Sequence, residues 1–359
     1  MKAGKTLTEL AVELERQQDT KHDYLSDTRN VRMEQDGQTL VLDDKASDFD
    51  RLLQKPTAAV FEGLATRHAH QQIASRINIP MKYYERMQEE APQLLATNVN
   101  HWFQQKPERR MLRTLDGKAR AFLSERYRPL DNYDLAQVVL PKIGEMGCRI
   151  ESCEITQTRM YIKAVTDRIT ENIAVGDPVQ AGLVVSNSEI GAGSLKVEPL
   201  ILRLVCMNGM ISADRSMKKY HVGRSNGDTD GAAEFFQDET RRADDKAFWL
   251  KVRDTVGASL DQAIFSQTIE KMRAAKENRI EDAAKTVELV TEKMILNETE
   301  SAGVLKHLIN GGDLSQFGLL NAVTRMAQDV EDYDRATDME RFGGQILELP
   351  QTEWQKLVA

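Results

Sequence analysis

The chain has 359 residues, 41% of them hydrophobic and 29% charged, and its formal net charge is −8. This hydrophobic content excludes wholesale disorder, and the length predicts two domains or one elaborated domain. No apolar run approaches the roughly 18 residues that a membrane span needs, and the N-terminal residues lack the apolar core of a signal peptide. We therefore expect a soluble, cytoplasmic protein without a membrane partner.

The charge is distributed unevenly along the chain. Residues 101–227 carry a net charge of +5, whereas residues 1–100, 228–300 and 301–359 carry −3, −6 and −4. Exposed charges act on one another mainly within about 10 Å at ordinary salt. The overall acidity therefore does not exclude an anionic ligand at the central segment.

The predicted elements begin with a short amphipathic helix over residues 7–14, where leucine and alanine recur at helical spacing. In residues 31–42, apolar residues that alternate with polar ones are followed by an Asp-Gly pair and a second apolar stretch, which predicts a β-hairpin. Residues 65–104 favour helices, with interruptions at Pro80 and Pro92.

From residue 110 onward the hydrophobic period changes to two. Residues 110–123 predict a second hairpin, again around an Asp-Gly pair, and residues 132–143 predict a helix with an Asp or Asn cap. Asn208 and Gly209 predict a turn with positive φ. Four further strands are predicted over residues 149–156, 159–165, 181–186 and 194–206.

The C-terminal third favours helices over residues 232–297 and 314–340, and a polar, glycine-rich linker is predicted at 223–231. The layout predicts an α+β fold: a central, mostly antiparallel β-rich core flanked by N-terminal helices and a helical C-terminal region. The predicted divisions are an N-terminal helix and hairpin (1–64), an α+β core with basic strands (65–227) and a helical C-terminal region (228–359).

Templates for enzymatic sites fit the sequence poorly. The glycine-rich residues 191–196 lack phosphate-loop spacing and precede a strand, so a hairpin turn is favoured. His68 and His70 lie two apart and point to different helix faces, and three irregularly spaced cysteines make neither a disulfide framework nor a zinc site. Cys206 and His221 could form a nucleophile and its base, but a buried structural cysteine at Cys206 is favoured. We predict no catalytic residue, metal or cofactor.

Basic residues interleaved with aromatic ones give the clearest functional signal. Alternate positions of a hairpin share one face, so basic residues there can line a groove for phosphates while flat rings stack on bases. The predicted phosphate contacts of the first cluster are Arg109, Arg110, Arg113, Lys118, Arg120, Arg126 and Arg128, with Trp102, Phe103 or Tyr127 as stacking rings. A second cluster comprises Lys196, Arg203, Arg215, Lys218, Lys219, His221 and Arg224. The alternative is that these arginines pair with acidic helices and that the aromatic residues are core.

Several runs together resemble a family of uncharacterised phage- and plasmid-related proteins, known chiefly as a domain of unknown function. The runs are 120–132, 185–191, 203–210, 219–223, 318–325 and 333–336. The resemblance spans about residues 60–345 and implies a mobile-element context, without naming a reaction. The β-rich centre is also similar, more distantly, to ring-forming single-strand annealing recombinases. Among the matching positions, Arg120, Arg126, Arg128, Arg203 and His221 have the chemistry for a phosphate ligand.

Together these patterns predict a non-enzymatic homo-oligomer that binds single-stranded DNA, or another single-stranded nucleic acid, in recombination or repair of a mobile element. One alternative is an interaction protein, an adaptor or inhibitor that engages a host factor through its acidic helices. Another is a metal-dependent hydrolase using carboxylates such as Glu189 or Asp214, although no carboxylate cluster has a recognisable spacing.

Overall fold

The computed structural model describes residues 1–43, 59–127, 129–212 and 238–358. Half of the chain is helical and 27% is strand, with a curled antiparallel sheet in the centre and a helical C-terminal region. The predicted α+β class is therefore confirmed. Within the described ranges, no helix combines the length and the apolarity that crossing a bilayer requires.

The secondary structure follows in chain order. The strands are β1 (Lys21–Asp27), β2 (Val31–Met33), β3 (Thr39–Asp43), β4 (Ala59–Leu64), β5 (Arg109–Leu115), β6 (Lys118–Ser124), β7 (Cys148–Ile155), β8 (Met160–Ala174), β9 (Asp177–Asn187), β10 (Lys196–Arg203) and β11 (Asn208–Ile211). The helices are α1 (Leu7–Thr20), α2 (Arg67–Arg76), α3 (Met81–Glu90), α4 (Pro92–Gln105), α5 (Asn132–Glu145), α6 (Asp238–Ala258), α7 (Gln262–Ala275), α8 (Ala283–Met294), α9 (Glu298–Gly311), α10 (Gln316–Asp329), α11 (Tyr333–Leu347) and α12 (Gln351–Val358).

The chain forms two compact units, and each unit is built from stretches of sequence that alternate along the chain. Unit 1 comprises Met1–Leu10, Asp134–Asn187 and Ser194–Ala359, and unit 2 comprises Ala11–Tyr133 and Ser188–Gly193. The three divisions predicted from composition run in chain order, whereas both units are assembled from separated segments. The loop between β9 and β10 illustrates the difference, because its flanking strands belong to unit 1 while residues 188–193 belong to unit 2.

Unit 2 contains two three-stranded antiparallel sheets, in the orders β1-β5-β6 and β2-β3-β4. Both predicted hairpins are confirmed. In the β5–β6 hairpin, Asp116 and Gly117 take positive φ values of 51° and 70°, as a two-residue turn that matches strand twist requires. Helices α2 to α4 bury Ile73, Leu95 and Val99 in one core with strand residues of both sheets.

Unit 1 contains a five-stranded antiparallel sheet in the order β11-β10-β9-β8-β7 and the C-terminal helices. The predicted turn at Asn208 and Gly209 is wrong, because both residues belong to β11 and pair with Arg203 and Leu202 of β10. Positive φ occurs instead at Met207, one residue earlier. Asn208 is fixed by its amide, which donates to the Asn321 carbonyl oxygen over 3.1 Å.

Candidate nucleic-acid interface

The central part of the basic hairpin β5–β6 is covered by residues 188–193, all within unit 2. Ile190 packs against Ala121 and Leu123 of β6, so the sheet face is closed with apolar side chains. The Ile190 carbonyl oxygen accepts from Gln72 over 2.8 Å and lies 2.9 Å from the His68 ring nitrogen. A face that the alternation pattern predicts to be an open groove is therefore interior.

Arg113 lies beneath this loop and is fully buried. Its guanidinium donates to Asp23 over 2.8 Å, to Asp131 over 2.7 Å and to the Glu189 carbonyl oxygen over 2.7 Å. Burial alone would raise the pKa of Asp131, but the charges and hydrogen bonds of Arg113 and Lys21 together outweigh it and hold that pKa below its usual value. The prediction that Arg113 contacts a phosphate is therefore wrong, because its guanidinium is bound inside the protein by Asp23, Asp131 and Glu189.

Arg120 is the second arginine of the predicted set that the structure places inside unit 2. Its Nη2 donates to Glu189 Oε2 over 2.6 Å, and the other oxygen of this carboxylate accepts from the Asn132 backbone N–H over 2.6 Å. Nε of Arg120 is buried without a hydrogen-bond partner among the described residues. The buried acceptor Glu189 therefore takes the place of the predicted phosphate.

Tyr127 is half-buried in the same satellite core as Leu123 and Ile190. Its hydroxyl donates to the Ser188 carbonyl oxygen over 3.3 Å, and burial raises the pKa of this phenol. Phe103, another predicted stacking ring, is buried and stacks on Phe122 with centroids 5.3 Å apart. These contacts correct the prediction that Phe103 or Tyr127 stacks on a base.

Arg203 belongs to unit 1 and is engaged on both sides. Its Nε and Nη2 donate to the two carboxylate oxygens of Asp177 over 2.6 and 2.8 Å, and its guanidinium carbon lies 5.3 Å from the Phe317 ring centroid. This bidentate pair occupies the guanidinium N–H groups that we predicted to bind a phosphate. Arg203 therefore stabilises its own unit.

The remaining described candidates lie apart from one another. Arg109, Arg110 and Arg126 lie at the end of the hairpin where β5 begins and β6 finishes, while Lys118 follows the tight turn. Six residues of strand separate these ends by about 20 Å. Lys196 begins β10 in unit 1. Six predicted candidates lie outside the described residues: Arg128, Arg215, Lys218, Lys219, His221 and Arg224.

A compact cationic surface forms at the first of these ends, around an exposed indole. Trp102 is 37% exposed, and Nζ of Lys106, one helical turn later, lies 5.2 Å from its ring centroid. Arg76 donates to the Lys106 carbonyl oxygen over 2.9 Å, which places α2 beside this end of α4. We define the Trp102 surface as Arg29, Arg76, Trp102, Lys106 and Arg110.

The Trp102 surface holds more cations than carboxylates. Arg76 and Arg110 share the single carboxylate of Glu108. Arg29 pairs with Asp27 over 2.8 Å. Exposed pairs of this kind attract weakly and are screened by salt. Among the described residues, four cations of this surface thus face two carboxylates, so the named set carries a net positive charge.

Sequence reasoning located part of the Trp102 surface and missed the rest. The stretch from Trp102 to Arg110 lies in the predicted cluster, and its Trp-to-Lys spacing of four is visible as a helical pair. Arg29 and Arg76 carried no signal because their positions are distant in sequence. Arg29 joins through its carbonyl oxygen, which accepts from Gln104 over 3.1 Å.

Other kinds of site find little support in the described ranges. No group of three or more His, Cys, Asp or Glu side chains there is arranged to hold a metal ion. Cys148, Cys153 and Cys206 are free thiols.

The fold and this surface define an α+β protein with one cationic, aromatic-bearing face on unit 2. A family model described as domain of unknown function (DUF932) matches residues 119–342, and the chain belongs to that family. The predicted membership of a domain-of-unknown-function family is thereby confirmed. No curated protein and no solved structure matches the chain.

Proposed function

We propose that this protein binds single-stranded nucleic acid without catalysing a reaction, and that the Trp102 surface is the contact. The observation that carries the proposal is the position of Lys106 over the exposed Trp102 ring, beside two arginines, Arg76 and Arg110, that share the single carboxylate of Glu108. Such a surface offers both interactions that unspecific single-strand binding needs, a ring for a base and cations for the phosphates on either side.

The exposed Trp102 ring is the reason for proposing a single-stranded rather than a double-stranded ligand. A base can stack on Trp102 only when it has left its own duplex stack, and base–aromatic stacking contributes about 1–3 kcal/mol per base. Lys106 already lies on the ring, so an arriving base displaces a flexible side chain that then reaches the adjacent phosphate.

One exposed ring and four cations make a short site, which favours an oligomer that repeats the site along a strand. A homo-oligomer of this kind suits annealing of complementary strands, so we place the protein in recombination or repair of a mobile element. Single-stranded DNA is the partner we propose.

The test measures fluorescence anisotropy of labelled dT20 and of a matched 20-base-pair duplex over a series of salt concentrations. We expect dT20 to bind more tightly, with affinity falling steeply as salt rises, by roughly 0.7 in log K per phosphate contact per log unit of salt. Trp102→Ala should weaken dT20 binding about 5- to 150-fold, which corresponds to one lost stacking contact.

The matched control is Tyr83→Ala, which removes another exposed ring, 51% accessible, from α3 of the same unit. This variant should bind dT20 as the parent chain does. Binding that is absent, that ignores salt, or that survives Trp102→Ala unchanged would refute the proposed function.

A further inference from the structure

A groove in unit 1 lies outside the proposed function. It has a volume of about 560 Å³ and opens between helices α5 and α6. Its lining residues are Gln137, Val138 and Pro141 from α5 and Lys246, Trp249, Leu250 and Arg253 from α6. These positions recur at intervals of three and four, so each helix contributes one face to the groove.

Helix α6 separates its anchoring side chains from those that line the groove. Val252 and Val256 are fully buried, and they hold the helix in unit 1 together with the buried Phe248. Trp249 contacts the Phe248 ring edge-on with centroids 5.2 Å apart, and Leu250 is 41% exposed. A tryptophan and a leucine side by side on a half-open surface are typical of a docking site for another apolar surface.

The charges along the groove indicate which kind of partner fits. Of its lining residues two, Lys246 and Arg253, are cationic and none is acidic. They lie seven positions apart on α6, about 10 Å along the helix, with Trp249 and Leu250 between them. Arg253 also pairs with its neighbour Asp254, which is 68% exposed and can be displaced at little cost.

We propose that this groove docks an acidic amphipathic helix of a protein partner. Its apolar ridge would pack on Val138, Pro141, Trp249 and Leu250, and two carboxylates seven residues apart would reach Lys246 and Arg253. A helix fits better than a nucleic acid, because the floor is aliphatic as well as aromatic and only two cations line it. A phosphate backbone needs a denser row of cations.

The experiment uses two fluorescein-labelled 15-residue amphipathic peptides with the same leucine stripe. At two positions seven residues apart, one peptide has Glu and the other has Lys. We expect the Glu peptide to bind the full chain at least tenfold more tightly, and the double variant Lys246→Glu/Arg253→Glu to reverse this preference. Trp249→Ala should weaken binding of the Glu peptide about tenfold.

Ile309→Ala, which truncates an exposed aliphatic residue on α9 of the same unit, is the matched control and should not change peptide binding. Circular dichroism melts confirm that each variant is folded. Equal affinity for both peptides, or affinity for neither, would overturn the proposal. Loss of dT20 binding in Trp249→Ala would identify the groove as a nucleic-acid contact instead, and loss of self-association on sedimentation would identify it as a contact between copies of this chain.

Discussion

Arg120 donates to Glu189 over 2.6 Å in the interior of unit 2, and the two residues come from separate sequence motifs. Arg120 begins the run at 120–132, and Glu189 lies in the run at 185–191. The same carboxylate also accepts from Asn132 at the far end of the first run. The charged residues of these motifs therefore hold residues 188–193 on the basic hairpin, which is a structural reason for their type and position.

Replacing Glu189 by Gln should destabilise the protein strongly. The change leaves the Arg120 charge buried without its counter-ion, while its Nε already lacks a partner in the described structure. Breaking a buried pair from one side costs about 3–5 kcal/mol in the free energy of unfolding, which urea titration measures. The control Glu125→Gln, at an exposed carboxylate of the same unit, should change stability by less than about 0.5 kcal/mol.

The paired variant Arg120→Met/Glu189→Leu separates charge from packing. Replacing both partners of a buried pair by apolar residues of similar size removes the desolvation cost along with the attraction. We expect the double variant to recover most of the stability that Glu189→Gln loses. A double variant as unstable as the sum of its single changes would show that the polar contacts themselves, rather than the unpaired charge, determine the loss.

A second buried pair, Lys163 and Glu340, predicts a similar pattern in unit 1. Both side chains are fully buried and lie 2.6 Å apart, and Nζ of Lys163 is also 4.5 Å from the Tyr333 ring centroid. Burial lowers the pKa of Lys163, and the Glu340 charge opposes this shift. Lys163→Met should cost about 3–5 kcal/mol, because Glu340 would remain buried without its counter-ion. Lys163→Met/Glu340→Leu should be more stable than Lys163→Met by urea titration; equal stability would contradict this account.

Because of His70, the free energy of unfolding should decrease as the pH falls through the mildly acidic range. It is buried on α2, where its Nδ1 lies 2.9 Å from the Tyr84 hydroxyl and its Nε2 lies 3.1 Å from Nε2 of Gln88. Because an amide nitrogen can only donate, this network assigns the proton to Nδ1 and leaves Nε2 as an acceptor. Burial lowers the His70 pKa from 6.5 to about 4, and Asp36 offsets only part of this effect.

The unfolded chain therefore binds a proton at His70 more readily than the folded chain between these two pKa values. The contribution of His70 to stability is complete above pH 6.5 and decreases as the pH falls toward 4. Between pH 7.5 and 5 the loss should be about 2 kcal/mol. His70→Gln should flatten the pH dependence of urea unfolding, because a glutamine side chain does not titrate in this range. A slope unaffected by His70→Gln would contradict this assignment.

The secondary structure was largely predictable where signals were local. The two Asp-Gly turns identified both hairpins, and Pro80 and Pro92 correctly separated α2, α3 and α4. Strand β1 was missed because its sequence, KHDYLSD, has neither a clear hydrophobic alternation nor a β-branched residue. It is a strand because it pairs with β5 along its whole length, a partner almost 90 residues away.

The candidate site was less predictable than the fold, for a physical reason. Alternation shows that Arg109 and Arg113 share one face of β5, but not what covers that face. Residues 188–193 cover it at Arg113, which is buried, and leave Arg109 exposed. Burial of an arginine depends on a long-range contact, whereas its charge is visible in the sequence, so composition alone overstates the number of available cations.

The exposed lysine of the Trp102 surface should therefore contribute to nucleic-acid binding through its charge. Lys106→Gln should reduce the salt dependence of dT20 binding by roughly one phosphate contact, without changing the urea midpoint. Arg67→Gln is the matched control, because Arg67 is 75% exposed on α2 and lies at the opposite end of that helix from Arg76. If Arg67→Gln lowers the salt slope as much as Lys106→Gln does, the cations act through the overall charge of the unit, and the Trp102 surface is not a localised site.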